Sequence, residues 1–273
     1  MKRIINGVAE ETPSLEMVEL PHDGTGVFET LLLREGTPVF FEDHWARFAR
    51  GCQWYGFAAP TTAETMAGIA RHLSVENKVA TGVLRFAAWK HTDKVVEWRV
   101  EVSPPRPHMT RSSVRITVGP SLPAADQDRA FKHLNRGAWL QALRAVRASG
   151  WDDALLLDSM GYVVETCVSN GFFVDQHGLH TPALETGALP GVMRGRVIAL
   201  AKELGLNVKE GHYRLSDLQQ ASEIWLSNSL LGLRPVTECA DRSFSAPFPV
   251  LQRFRAGWEA RHGWDPVVVV PTL

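Results

Sequence analysis

Short apolar runs and segments of helical period follow one another in this chain in an order that predicts two lobes. Arg3 to Ile5 is an apolar run closed by the turn dipeptide Asn6-Gly7 and reads as a strand. Met17 to Leu20 is a second candidate strand. After His22-Asp23-Gly24-Thr25-Gly26, the run Val27-Phe28-Glu29-Thr30-Leu31-Leu32-Leu33 is β-prone. Arg34-Glu35-Gly36 supplies a turn, and Thr37 to Phe41 completes a hairpin. From Glu42 to Tyr55 the period becomes helical, with Trp45, Phe48, Ala49 and Cys52 on one face, and Thr65 to Leu73 reads as a second helix. Val79 to Trp89 and Val95 to Val102 read as strands joined by the polar turn Lys90 to Lys94. Together these make a small α/β lobe over residues 1–106.

Pro104-Pro105-Arg106-Pro107 ends that pattern, because three prolines in four residues cannot continue a helix or a central strand. Residues 107–130 read as an interdomain connection that includes a strand at Val114 to Val118. A larger lobe, 131–273, then opens with Phe131-Lys132-His133-Leu134-Asn135-Arg136 and a helix carrying Trp139, Leu140, Leu143 and Val146, with Asn135 as its N-cap. Asp153 to Asp158 and Tyr162 to Glu165 read as a strand pair about the turn Ser159-Met160-Gly161. Val168 to Val174, Leu179 to Pro182, a helix Val192 to Leu204, a strand Glu223 to Ser227 and a final helix Val250 to Arg261 complete the expected order.

Composition narrows the classes this fold can serve. The 273 residues carry a net charge of -1 and no long basic or acidic run, which argues against nucleic acid or an anionic membrane as partner. Cys52, Cys167 and Cys239 are odd in number and widely spaced, which suits reduced thiols in a cytoplasm and neither a disulfide framework nor a zinc site. No apolar stretch reads as a signal peptide or a membrane span. The histidines lack metal-ligand spacing, and tryptophans such as Trp45, Trp139, Trp225 and Trp258 read as core or interface residues. The expectation is a cytoplasmic protein with a small-molecule ligand and no metal.

Several polar residues stand where chemistry is possible. Lys132 lies at a loop-to-helix junction beside the expected cleft; partly desolvated, its amine becomes a nucleophile able to form a Schiff base, whereas the plain alternative is a solvated surface lysine. Glu165 follows two valines at a strand end, where a carboxylate needs a donor or a cation. It suits the nitrogen of a pyridinium ring, or else simply faces water. Gly191, Val192 and Met193 open a helix, whose free N–H groups and positive dipole end form a phosphate seat. Asn228-Ser229 can complete that seat. His44 and Arg47, three apart, share a helix side and on their own read as a solvated pair. The turn before Val27 opens a strand, not a helix, so it reads as a close backbone approach and not as a phosphate loop.

Taken in order, Val27-Phe28-Glu29-Thr30, His44-x-x-Arg47, Lys132-x-x-Asn135, Glu165-x-x-x-Ser169-Asn170, Gly191-Val192-Met193-Arg194 and Ser227-Asn228-Ser229 resemble the class IV aminotransferases, the fold type IV pyridoxal-phosphate enzymes. The family includes branched-chain and D-amino-acid aminotransferases and 4-amino-4-deoxychorismate lyases. The resemblance implies an α+β fold with a small two-layer α/β lobe and a larger β-barrel-like lobe. It also implies pyridoxal 5'-phosphate (PLP) as cofactor and a homodimer. By the same resemblance Lys132 would hold the cofactor and move the proton, and Glu165 would meet the pyridine nitrogen. Arg47, Val192, Met193 and Ser229 would bind the phosphate, with Ser169 and Asn170 beside the cofactor. Phe28, Arg99 and Arg136 would face the substrate.

Within the family, Lys132-His133-Leu134-Asn135-Arg136 looks most like the lyases, which implies conversion of 4-amino-4-deoxychorismate to 4-aminobenzoate and pyruvate in folate synthesis. A branched-chain or D-amino-acid aminotransferase is the alternative, and a non-catalytic PLP-binding homologue the third reading. The sequence departs from the family ahead of Phe28, where the usual Asp-Arg-Gly and Tyr/Phe-Gly-Asp-Gly motifs are replaced by a shorter stretch with Gly24-Thr25-Gly26. An arginine- and glycine-rich loop found in several members is missing between Arg85 and Arg99. Both regions shape the substrate side.

Overall fold

The computed structural model describes residues 1–11, 25–91, 95–122 and 130–267. The expected strand at Met17 to Leu20, most of the turn at His22 to Gly26, and parts of the Lys90 to Lys94 turn and the 119–129 loop lie outside them. The chain divides into two compact units, Met1–Met109 with Phe131–Arg136, and Thr110–Ala130 with Gly137–Leu273.

The first unit contains β1 (Lys2–Ile5), β2 (Val8–Glu11), β3 (Thr25–Arg34), β4 (Thr37–Pro38), α1 (Phe41–Trp54), α2 (Ala63–Glu76), β5 (Gly82–Lys90) and β6 (Val96–Ser103). The strands form one antiparallel sheet in the order β2-β1-β6-β5-β3-β4. Strand alternation sends Val27, Leu31, Leu33, Leu84, Phe86, Val100 and Val102 to one face. There α1 and α2 bury Phe48, Cys52, Met66, Ala70 and Leu73 against them. Phe48 and Phe86 meet edge to face at 4.9 Å, a favourable aromatic geometry. Thr62 caps α2 by accepting from the Thr65 amide at 3.2 Å, so that helix begins earlier than its apolar period suggests. The hairpin return strand stops at Pro38. Phe41, expected at its end, instead opens α1, where Glu42 and Asp43 complement the positive helix end.

The sequence reading begins the larger lobe at 131, but the contacts of Phe131–Arg136 lie with the first unit. Backbone pairing is the reason. Phe28 donates its amide to the Lys132 carbonyl at 2.9 Å, Leu134 donates to Gly26 at 3.0 Å, and Val27 and His133 form an antiparallel bridge.

The second unit contains β7 (Val114–Ser121), α3 (Gly137–Ala148), β8 (Asp153–Leu157), β9 (Val163–Thr166), β10 (Asn170–Asp175), β11 (Gly178–Pro182), α4 (Val192–Glu203), β12 (Val208–Gly211), α5 (Leu215–Leu218), β13 (Glu223–Asn228), β14 (Gly232–Cys239), β15 (Arg242–Ser243) and α6 (Pro249–His262). Its mixed sheet runs β12-β11-β10-β13-β14-β7-β8-β9, with β15 on β14. The last strand, β9, also approaches β10 and β11, so the sheet curls on itself into the barrel-like lobe expected. α3 lies on β7 and β8, and α4 and α6 lie on β13. β14 was not foreseen, because Arg234 and Pro235 interrupt its apolar pattern. Arg234 is buried, and its Nη1 donates to the carbonyls of Leu233 at 2.8 Å and Val267 at 2.6 Å. Among the described residues no helix is long and apolar enough to cross a membrane, and no group of side chains is arranged to hold a metal ion.

Candidate active site

The expected site residues fall on both units: Phe28, Arg47, Arg99, Lys132 and Arg136 on the first, and Glu165, Ser169, Asn170, Val192, Met193 and Ser229 on the second. In the first unit, pairing of the 131–136 segment with β3 sets Lys132 beside Phe28. The lysine Nζ lies 4.9 Å from the Phe28 ring centroid, and the Arg85 guanidinium carbon lies 5.2 Å from the same ring. Phe28 packs with Ala87, Trp89 and Leu134 on the sheet face opposite the helices. Arg136 is buried at the end of this segment.

On that same face strand register sets Arg85 opposite Glu101 and Ala87 opposite Arg99. Arg99 stands 3.7 Å from Glu101, and its guanidinium lies over the Trp89 ring. Arg99, Arg85 and, from β1, Arg3 all act electrostatically on this one carboxylate. Among the described residues, the Nε of Arg85, the Nε and Nη1 of Arg99 and one oxygen of Glu101 are buried without hydrogen-bond partners. Burial lowers the Arg85 pKa to about 10 although Glu101 opposes it, and burial raises that of Glu101 against the pull of Arg99 and Arg85. The cluster has more cationic donors than anionic acceptors, and suits a bound carboxylate. Arg99 was expected there; Arg85 and Glu101 were not. The available signal was a charge alternating into an otherwise apolar strand, which requires a partner.

Arg47 and His44 are not the solvated pair their spacing suggests. Both are buried and converge on Glu29, itself 1% exposed on the helix-facing side of β3. His44 Nδ1 lies 2.6 Å from Glu29, and Arg47 donates Nε and Nη2 to its two oxygens, each at 2.7 Å. Burial alone would raise the Glu29 pKa; the Arg47 charge and the His44 contact overcome it and bring it to about 2. The side-on pairing fixes the plane of the Arg47 guanidinium. Glu29 was visible within its motif but carried no role.

In the second unit Glu165, at the end of β9, is buried and held from three sides. Its Oε1 accepts from the Trp139 indole N–H at 3.1 Å, and its Oε2 from the Leu189 amide at 3.1 Å and from Asn170 Nδ2 at 3.5 Å. Asn170 also donates to the Leu189 carbonyl at 2.9 Å, which ties β9 and β10 to the segment leading into α4. A Cβ placed on Gly191 would stand 2.0 Å from Asn170 Oδ1, so only glycine permits this approach. No side chain caps α4 and no acidic residue occupies its first turn, so the amides at Val192 and Met193 keep their positive end uncompensated. Ser169 accepts from Asn228 Nδ2 at 2.9 Å, and Asn228 Oδ1 orders the turn that carries Ser229 by accepting from the amides of Leu230 and Leu231. Ser227, paired with Asn170 across β10 and β13, has a buried hydroxyl with no hydrogen-bond partner among the described residues.

The sequence profile of amino-transferase class IV matches residues 26–239. An aminodeoxychorismate lyase of Vibrio harveyi is 33% identical over 119 residues, 44% of either chain. The aminodeoxychorismate lyase of Bacillus subtilis is 27% identical over 240 residues, 82% of this chain and 80% of the relative. A probable branched-chain-amino-acid aminotransferase of Rickettsia bellii is 26% identical over 219 residues, 72% of each. Two solved structures share the fold. The Escherichia coli branched-chain amino acid aminotransferase has a TM-score of 0.82 at 21% identity, over 96% of this chain and 93% of that one. A putative 4-amino-4-deoxychorismate lyase of Legionella pneumophila has a TM-score of 0.78 at 22% identity, over 89% and 93%.

The curled sheet and the layered first unit are the architecture of fold type IV enzymes. The chain belongs to the class IV aminotransferase family and is a PLP-dependent enzyme. Its own residues fit that cofactor. The α4 N-terminus with the glycine cradle at Gly191 and the orphaned Ser227 hydroxyl suit a phosphate, and the buried Glu165 suits a pyridine nitrogen.

Proposed function

We propose that the protein is a lyase that converts 4-amino-4-deoxychorismate to 4-aminobenzoate and pyruvate, the step that gives folate synthesis its aromatic amine. The observation that carries this reading is the Phe28 ring with the Lys132 amine and the Arg85 guanidinium both against it, next to the anion-deficient Arg99–Glu101 pair. A flat ring bearing an amine and a carboxylate matches that set of groups. The lyase-like stretch Lys132-His133-Leu134-Asn135-Arg136 and the lyases among the relatives support the same choice.

PLP, when bound, supplies an electron-accepting ring that acidifies the carbon bearing the substrate amine. Lys132 would hold the cofactor, and its amine would take the proton from that carbon. Glu165 would pair with the pyridine nitrogen and favour its protonated form. Arg47, the Val192 and Met193 amides and Ser229 hold the phosphate, with Ser169 and Asn170 bracing that side. Arg85, Arg99 and Arg136 orient the substrate carboxylates, and Phe28 lies against its ring. Breaking the ether C–O bond releases the three-carbon group, which takes up a proton and leaves as pyruvate. Aromatisation of the remaining ring drives the step.

The same constellation serves transamination, and the branched-chain aminotransferase among the relatives favours it as the second reading. Purified, PLP-loaded protein would be offered aminodeoxychorismate generated in place, with 4-aminobenzoate followed by fluorescence. A parallel arm would supply L- and D-amino acids with 2-oxoglutarate or pyruvate. Lys132-dependent aminobenzoate establishes the lyase. Turnover only in the second arm makes the protein an aminotransferase, and silence in both, with PLP bound, returns the non-catalytic homologue. We also propose a cytoplasmic homodimer, for which sedimentation should give twice the chain mass of 30.3 kDa.

A further inference from the structure

We propose that Trp139 is a positioning residue for Glu165, fixing through its indole N–H the carboxylate that meets the pyridine nitrogen of the cofactor. The inference rests on the reading of Glu165 given above and assigns a role to a side chain whose spacing marks it only as core.

Trp139 lies in the first turn of α3 and is 7% exposed. Its ring belongs to an apolar cluster with Leu122, Leu143, Leu156, Val164 and Ala188. That packing holds the ring in one orientation, and therefore aims its single donor in one direction. A buried indole N–H needs an acceptor, and here it is Glu165 Oε1 at 3.1 Å. Leu189 and Asn170 engage the other oxygen, Oε2. Donors at both oxygens fix the carboxylate plane. Removing the Trp139 N–H weakens the hold on Oε1 and with it the orientation of the carboxylate.

A second buried pair shows what a purely structural version looks like. Trp225 Nε1 donates to Glu223 Oε2 at 2.9 Å, but the two oxygens of Glu223 also accept from the Val250 and Leu251 amides and so cap α6. Glu165 caps no helix. Its other oxygen accepts from Leu189 and Asn170, the residues that build the approach to the α4 N-terminus. Trp139 therefore acts on a carboxylate that belongs to the cofactor-binding constellation.

The test compares PLP with its 1-deaza analogue, in which C–H replaces the ring nitrogen. Both ligands keep the phosphate and the aldehyde, so the ratio of their affinities isolates the contribution of the nitrogen. Apoprotein would be titrated with each by equilibrium dialysis for wild type, Trp139→Phe and Glu165→Gln. A further protein would carry 3-benzothienylalanine at position 139, which keeps the fused ring and removes only the N–H. Wild type should prefer PLP by about tenfold or more, and Glu165→Gln should collapse that preference. Trp139→Phe and the benzothienyl protein should each lower the preference by about threefold or more while holding the deaza analogue within about twofold of wild type. A preference unchanged in the benzothienyl protein, alongside collapse in Glu165→Gln, overturns the role of Trp139 alone. The same result follows if both ligands weaken equally, as they would for a merely structural residue. An equal preference in wild type and Glu165→Gln overturns the reading of Glu165 itself. Should Trp139→Phe fail to fold, the benzothienyl protein still decides the question.

Discussion

Glu29 sits among core side chains yet is held ionised by the two residues that converge on it. In the unfolded chain its pKa returns to 4.5, whereas in the folded protein it is about 2. As pH falls through this window the unfolded state takes up the proton first, so the stabilisation present above pH 4.5 is lost progressively toward pH 2. The shift corresponds to about 3 kcal/mol. Urea unfolding at pH 6 and pH 3 should show Glu29→Gln less stable than wild type at pH 6, with the difference shrinking by pH 3. An equally large deficit at both values would count against the ionised pair. Lys132 allows a more direct test, because Lys132→Ala should lower turnover by about a thousandfold in whichever assay arm is active. A near-wild-type rate would remove Lys132 from the chemistry.

At the scale of elements, legibility followed periodicity. The long strands β3, β5 and β6 and the helices α1, α4 and α6 were readable because alternation and the helical period are properties of local sequence. β14 was hidden by Arg234 and Pro235, whose burial depends on carbonyls supplied by distant residues. The same division holds in the site. Lys132, Glu165 and the α4 N-terminus could be named from motifs, but Arg85, Glu101 and the Trp139 indole acquire meaning only through cross-strand register and tertiary contact. The approach of Gly191 to Asn170 is likewise invisible in sequence beyond the glycine itself, and it yields a prediction. In Gly191→Ala the added Cβ meets Asn170 Oδ1, which must withdraw and loosen its bonds to Leu189 and Glu165. PLP affinity should fall by about tenfold, the cost of one or two hydrogen bonds, while far-ultraviolet circular dichroism stays unchanged. Wild-type affinity in this variant would mean that the α4 N-terminus does not hold the phosphate.

Across the whole molecule the charge is nearly balanced at -1, yet the sheet face with Phe28 concentrates cationic donors that the protein itself leaves unanswered. Buried guanidinium nitrogens without an acceptor destabilise a fold, and a bound anion would supply that acceptor. Stability and function should therefore oppose each other at Arg85. Arg85→Met replaces a charge carrying an orphaned donor with an apolar chain of similar length, next to Phe28 and Ala87. It also leaves the Arg99–Glu101 ion pair in place with one fewer cation beside it. The ligand-free protein should become more stable by about 1 kcal/mol, a rise of about 2–4 °C in Tm for a chain of this size. The KM for a carboxylate-bearing substrate should rise by about tenfold or more, with kcat changing less, because the lost contact is made equally in the ground state and the transition state. Differential scanning calorimetry and steady-state kinetics on the same preparation read both effects. A lower Tm with an unchanged KM would show that Arg85 serves the fold through Glu101, and the anion site would then rest on Arg99 and Arg136.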